Sequence, residues 1–352
     1  MEIGSCWTQH PALFAAPAKE TDPKLRALRV LKNFIVALRS QLYMKEDSTA
    51  SIKKPLNAFL GELFFGTWND GVATSHLAAE QVSHHPPITA VYMWDEENGI
   101  WGEGYTRVGM TFSGGIDIKQ TGHAIVHIDR YNEDYLLPQP SARIEGFLSG
   151  TLYPELYGKY HIISSSGYIS EIRFNGQGYI WGTKNSFEAI VYKRGDKAKT
   201  PIYRMQGQWS GKFMTKDADG RILDVYDSNS EKNRPADLET TPIEEQDAWE
   251  TRKAWAHVHS GLVEGDTHKI IQEKSKVENA QRQMRAREQR EGRKWQPLLF
   301  SPLEGEYTLF DKLGSAVGLK LHRERTRGVW KVNREKVKNL ERPFRGDLTP
   351  LG

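Results

Sequence analysis

The sequence predicts an α+β protein that is mainly β, with one large antiparallel sheet curled into a barrel and helices before and after it. Three observations carry this. From about residue 54 to 230, apolar residues alternate with polar ones in short runs. The chain holds 31 Gly, 10 Trp and 14 Tyr, a mixture that suits strands joined by tight turns. On either side of this region, apolar residues recur every three or four positions, the helical period.

Residues 22–45 read as the first long helix. Asp22 is its N-cap and Pro23 its first helical position. Leu25, Leu28, Leu31, Ile35, Leu38 and Leu42 make one apolar face. Gly4–Phe14 reads as a shorter helix before it, and 46–53 as a polar linker. The β region offers two hairpins. One joins Ile88–Trp94 to Ile100–Thr106 around Asp95–Gly99, and the other joins Ile116–Gln120 to His123–Ile128 around Thr121-Gly122. Further strands are expected at Tyr160–Ser164, Tyr168–Phe174, Tyr179–Trp181, Ser186–Tyr192, Ile202–Trp209 and Arg221–Tyr226. After about 231 the chain turns charged, with helices over Glu244–Val263 and Asp266–Glu291 and Gly292 as a stop. We read 1–352 as one domain with a helical segment (1–50), a barrel (51–235) and a C-terminal helical subdomain (236–352).

Composition excludes several classes. With Cys6 as the single cysteine, there is no internal disulfide framework, Cys-based zinc site or Cys-x-x-Cys pair. The formal net charge of +3 is too mild to imply nucleic acid. No run approaches the ~18 apolar residues of a membrane span, and no secretory signal is visible, so a cytoplasmic location is expected. Phosphate-binding glycine loops, the Gly-x-Ser-x-Gly elbow and His-Glu-x-x-His are missing. No enzyme activity, catalytic residue, metal or cofactor is therefore expected.

Four stretches carry chemistry. In Glu80-Gln81-Val82-Ser83-His84-His85-Pro86-Pro87, two prolines fix the backbone just after two histidines. Imidazoles held there suit an anion, and a phosphate would favour their charged forms. A structural turn explains them equally well. Lys53-Lys54-Pro55-Leu56-Asn57 places an ammonium and an amide beside a rigid proline. In the basic helix 273–294, Lys274, Glu278 and Arg282 are spaced four apart and share a face, so that Glu278 can tether both cations. A solvated salt-bridge ladder is the plainer reading. Arg323–Arg345 carries nine Lys/Arg against three acids, with Val329, Trp330 and Phe344 interleaved. That mixture suits an anionic membrane surface.

Together these stretches resemble the oxysterol-binding protein family. The resemblance rests on Glu80–Pro87, on Lys54-Pro55-Leu56-Asn57 with Leu60-Gly61-Glu62, and on Gly207-Gln208-Trp209-Ser210-Gly211. Glu245-Gln246 through Arg252-Lys253-Ala254-Trp255, and Lys274-x-x-x-Glu278-x-x-x-Arg282 followed by Trp295, extend it. It runs from about Trp7 to Trp330 and is nearest the short fungal members.

The resemblance implies an incomplete antiparallel barrel around a lipid tunnel. The implied activity is exchange of phosphatidylinositol 4-phosphate for a second lipid between membranes, with the protein peripheral at endoplasmic reticulum, Golgi or plasma-membrane surfaces. Lys54, Asn57, His84, His85, Lys274 and Arg282 would meet the phosphorylated headgroup, with Glu278 orienting the cations. Binding should then weaken as pH rises past ~7. Trp7, Gln41, Thr106 and Gln120 would line the tunnel. Thr106 stands where the family's sterol binders have Asn, and Leu42 where they have Tyr. A sterol is expected as the second lipid, with phosphatidylserine as the alternative. Only six residues precede Trp7, where short members carry a lid; either the N-terminus is trimmed or the tunnel closes differently, with a mouth closed by residues 1–21 or left open. A phosphoinositide sensor without transport, and a hydrolase using His84 or His85, are the rival readings.

Overall fold

In the computed structural model, the structure describes residues 1–43, 56–112, 115–146, 150–176 and 183–352. A 3-10 turn (Glu2–Trp7) and α1 (Pro11–Lys19) stand where one short helix was expected. α2 spans Pro23–Leu42, and the Asp22 side chain accepts the Lys24 N–H at 2.9 Å as its N-cap. Its predicted face is the buried one: Leu31, Ile35 and Leu38 are fully enclosed, together with Phe34.

The strands follow as β1 (Leu63–Asn69), β2 (Thr74–His84), β3 (Pro87–Asp95), β4 (Ile100–Phe112), β5 (Ile116–Ile128), β6 (Glu133–Pro138), β7 (Ala142–Glu145) and β8 (Tyr153–Leu156). They continue as β9 (Gly158–Ser164), β10 (Tyr168–Phe174), β11 (Ser186–Lys193), β12 (Tyr203–Gln208), β13 (Lys212–Asp217), β14 (Ile222–Asp227) and β15 (Leu238–Glu239). Their order in the sheet is β14-β13-β12-β11-β10-β9-β6-β5-β4-β3-β2-β1-β15, with β7 and β8 branching from β5. β14 and β15 stand at opposite ends of that order, so the barrel is incomplete.

The second hairpin expected from the sequence is corrected. Ile116–Ile128 is one continuous strand, paired with all of β4. Gly122 is there for close approach and makes no turn: a Cβ on it would fall 2.0 Å from the Tyr105 carbonyl oxygen. The strand expected at Tyr179–Trp181 lies outside the described residues.

Side chains alternate between two cores. Ile100, Ala124, Val126 and Ile128 face inward with Trp7, Phe34, Leu77 and Phe187. Tyr105 and Ile125 face outward against Trp249, Leu299, Phe310 and Trp330 of the C-terminal part. α2 lies on the inner face and bridges the sheet. Near its N-terminus, Arg26 donates through Nε and Nη2 to Glu133 of β6 at 2.8 and 2.6 Å. Farther along, Lys32 Nζ donates to Asp224 of β14 at 2.6 Å. Glu133 also accepts from Tyr135, Ser164 and Ser166, so this buried charge pair is amply partnered.

The C-terminal part is less helical than expected. Through Glu250 the chain is an irregular loop, followed by α3 (Thr251–Ala254) and α4 (Ala256–Glu264), which break at Trp255. The Asp247 carboxylate accepts the backbone N–H groups of Trp249 and Phe344, holding this loop in place of a helix. α5 (Thr267–Arg290) matches its prediction within a residue at each end. A two-stranded hairpin of β16 (Phe300–Pro302) and β17 (Trp330–Val332), with α6 (Thr308–Gly314) and α7 (Arg334–Lys338), completes this part. Among the described residues, no helix is long and apolar enough to cross a membrane.

Candidate functional site

The octapeptide is the end of β2, a tight turn and the first residue of β3, with His84 opposite Pro87. Two buried carboxylates fix its position. Glu80 accepts the backbone N–H groups of Leu298 and Leu299 at 2.6 and 2.7 Å, with Arg345 Nη2 at 3.4 Å. Glu62 accepts from the Phe59 N–H, Thr251 Oγ1 and Trp255 Nε1 at 3.2, 2.9 and 3.0 Å. Burial pushes both carboxyls up from their ordinary values. Gln81 ties the two motifs together, because its carbonyl accepts the Gly61 N–H and its own N–H donates to the Glu62 carbonyl. Gly61 has φ +83°, and a Cβ there would meet the Trp295 ring at 2.2 Å.

His84 Nδ1 lies 3.0 Å from the carbonyl oxygen of Ala58, next to Asn57. A carbonyl only accepts, so Nδ1 carries the proton and Nε2 is left for a ligand. The His84 and His85 rings lie 4.5 Å apart, edge to face. His84 is half-buried, while His85 and Asn57 are exposed. Burial lowers the pKa of His84, with the neighbouring His85 and Arg285 acting the same way and Ala58 and Glu278 opposing.

Those charges show what faces the histidines: α5. Lys274, Glu278 and Arg285 fall within about 40° of one another around its axis. Lys274 Nζ is 3.5 Å from Glu278. Arg282 lies about 80° round from Lys274. It is exposed and donates to Asn279 Oδ1 at 2.6 Å, so Glu278 tethers Lys274 alone in this arrangement. Lys54 lies outside the described residues.

Sequence reasoning missed the support behind these groups. The Trp295 ring lies 4.6 Å from the Arg285 guanidinium and 4.1 Å from that of Arg345. Arg285 could have been read as the next turn of the Lys274 face. Arg345 sits 265 residues from its partner Glu80 and left no local signal.

The four tunnel residues divide. Gln41 Nε2, at the end of α2, donates to Gln120 Oε1 at 3.2 Å, and Gln120 Nε2 donates to the Pro140 carbonyl at 2.7 Å. Thr106 shares the inner face of the sheet, opposite Gly122 and two residues along from Gln120. Gln41 Oε1 and Thr106 Oγ1 are buried with no hydrogen-bond partner. Strand register sets Trp7 apart. It packs on Phe34 at 5.7 Å and, with Phe14, Met93 and Ile100, lines a cavity of about 20 Å³. Met93 and Ile100 lie at the end of β3 and β4 away from the histidines. The N-terminal segment therefore fills that far end.

The match to known proteins covers most of the chain. Residues 5–260 match the family model described as oxysterol-binding protein. The chain belongs to the oxysterol-binding protein family. The probable transporter efuK of Hormonema carpetanum is 44% identical over 99% of this chain, which spans 50% of that protein. Protein kes1 of Schizosaccharomyces pombe is 38% identical over 84% of this chain and 77% of its own length. The Osh1 ORD domain solved in complex with ergosterol matches 96% of this chain and 80% of its own, with a TM-score of 0.70 at 20% identity. The Osh3 ORD of Saccharomyces cerevisiae, solved with PI(4)P, matches 86% of this chain and 80% of its own, with a TM-score of 0.67 at 21% identity. These likenesses confirm the expected family and its open, mainly β fold.

Proposed function

We propose that this protein is a lipid-transfer protein and not an enzyme. In this reading it extracts phosphatidylinositol 4-phosphate and a sterol, exchanges them between membranes, and works from the cytoplasm at anionic membrane surfaces. The observation that carries the reading is convergence. His84 and His85 lie edge to face, His84 bonds the Ala58 carbonyl next to Asn57, and Glu278 of α5, which holds Lys274, lies near enough to act on the His84 charge, so three separated stretches support one site. A phosphate is the simplest common ligand for them. Beneath lies the inner face, where unpartnered Gln41 Oε1 and Thr106 Oγ1 suit one buried hydroxyl. The ligands held by the matched Osh1 and Osh3 domains support the same pair of lipids. The test is extraction from liposomes carrying phosphatidylinositol 4-phosphate, sterol or phosphatidylserine, with lipids in the soluble fraction measured by mass spectrometry. Recovery of phosphatidylserine without sterol would make it the second lipid, and recovery of none would sink transfer.

The histidine also predicts a pH window. Burial lowers His84 in the free folded chain below its ordinary value of ~6.5. The unfolded chain protonates first, so His84 withdraws stability as pH falls from ~6.5 towards its folded value. A phosphate favours the charged ring, so phosphoinositide affinity should rise as pH falls from the higher value His84 takes in the complex towards its lowered value in the free protein. Titration calorimetry at a series of pH values reads this directly, and a flat profile would remove His84 from the headgroup site.

A further inference from the structure

We propose that the paired ends of β4 and β5 (Val108–Phe112 and Ile116–Gln120) and the loop 322–327 form the surface that docks on an anionic bilayer. The inference deepens the lipid-exchange reading and rests on it for its occupant.

Strand register fixes where these strand ends lie. Ile88, just after the histidine turn, opposes Arg107. β4 then runs on to Phe112, a further ~16 Å at ~3.3 Å per residue. These strand ends therefore project from the end of the sheet that carries His84 and His85. Val108, Met110 and Phe112 share one face of this projection and are 38%, 58% and 80% exposed. Ile118 and Ile116 stand opposite Met110 and Phe112 and extend the apolar strip. An exposed strip of this kind marks a surface that is covered in use.

Charge identifies what covers it. From the other face of β4, Arg107 Nη1 donates to the Arg325 carbonyl at 3.0 Å, fastening the loop beside the strand ends. Arg325 and Arg327 are exposed there, and Lys119 is exposed on β5 itself. Glu324 lies 3.9 Å from Arg325, and Asp117 lies 3.5 Å from Arg143. An apolar wedge flanked by surplus cations fits the boundary of an anionic bilayer, where the wedge enters the acyl region and the cations meet headgroups. The same end of the molecule presents the site proposed to read a lipid headgroup.

The experiment is co-sedimentation of the full chain with phosphatidylcholine vesicles, with and without phosphatidylserine, lacking phosphoinositide and sterol. In parallel, each protein is titrated with a water-soluble short-chain phosphatidylinositol 4-phosphate. Phe112→Asp should weaken binding to both vesicles by about tenfold or more. The double variant Arg325→Glu/Arg327→Glu should lose about fivefold per cation, on anionic vesicles alone, and flatten the salt dependence. Affinity for the soluble lipid should stay within about twofold of wild type. Unchanged vesicle binding would overturn the proposal. So would parallel loss of soluble-lipid binding, which would make the strand ends a wall of the cavity. A wild-type chain that docks but binds no soluble lipid would refute lipid exchange while supporting the docking surface.

Discussion

Replacing His84 and His85 together by alanine is expected to lower affinity for phosphatidylinositol 4-phosphate by ~100-fold or more. Each charged contact to a partly shielded phosphate contributes ~1.5–3 kcal/mol, and ~1.4 kcal/mol is tenfold. The rings are 4.5 Å apart, so their contributions are coupled, and the double variant is the cleaner measurement. Lys274→Ala should weaken binding too. Glu278→Ala should act indirectly, by freeing the ammonium that Glu278 holds at 3.5 Å. A sterol places no phosphate there, so its binding should survive. Extraction of each lipid by wild type and double variant decides the matter. Equal loss of both lipids would indicate misfolding, and loss of neither would put the headgroup elsewhere.

The second large effect is on stability. Glu80→Ala should destabilise the fold by ~3–5 kcal/mol, because it strips partners from two backbone N–H groups and from Arg345 in the interior. Glu80→Gln retains one carbonyl acceptor and should lose less. Denaturant unfolding followed by tryptophan fluorescence measures both. A change below ~1 kcal/mol for Glu80→Ala would mean that the C-terminal part holds the octapeptide by other contacts.

Both predictions concern one octapeptide, and the sequence revealed its two halves unequally. The histidines stand out because two prolines follow them. Glu80 looks like any strand carboxylate until the chain from Leu298 folds against it. Period-two alternation located β3, β4 and β10 because each has one face in the inner core and one against a second layer. It misread Gly122 because a glycine at a crowded strand crossing and a glycine in a turn are the same letter. Helical spacing placed Lys274 and Glu278 correctly on one face. It could not say that Arg282 would turn to Asn279, since that choice depends on rotamers at an exposed surface. The meeting of Gln41 with Gln120 links residues 79 apart, and only the family resemblance pointed to it.

The lipid-exchange reading requires phosphatidylinositol 4-phosphate and sterol to exclude one another from the protein, and competition tests this most directly. Protein loaded with a fluorescent sterol would be titrated with phosphatidylinositol 4-phosphate while sterol release is followed. The account predicts stoichiometric release, with an inhibition constant equal to the phosphoinositide dissociation constant. A sterol that stays bound while phosphoinositide saturates the protein would contradict it.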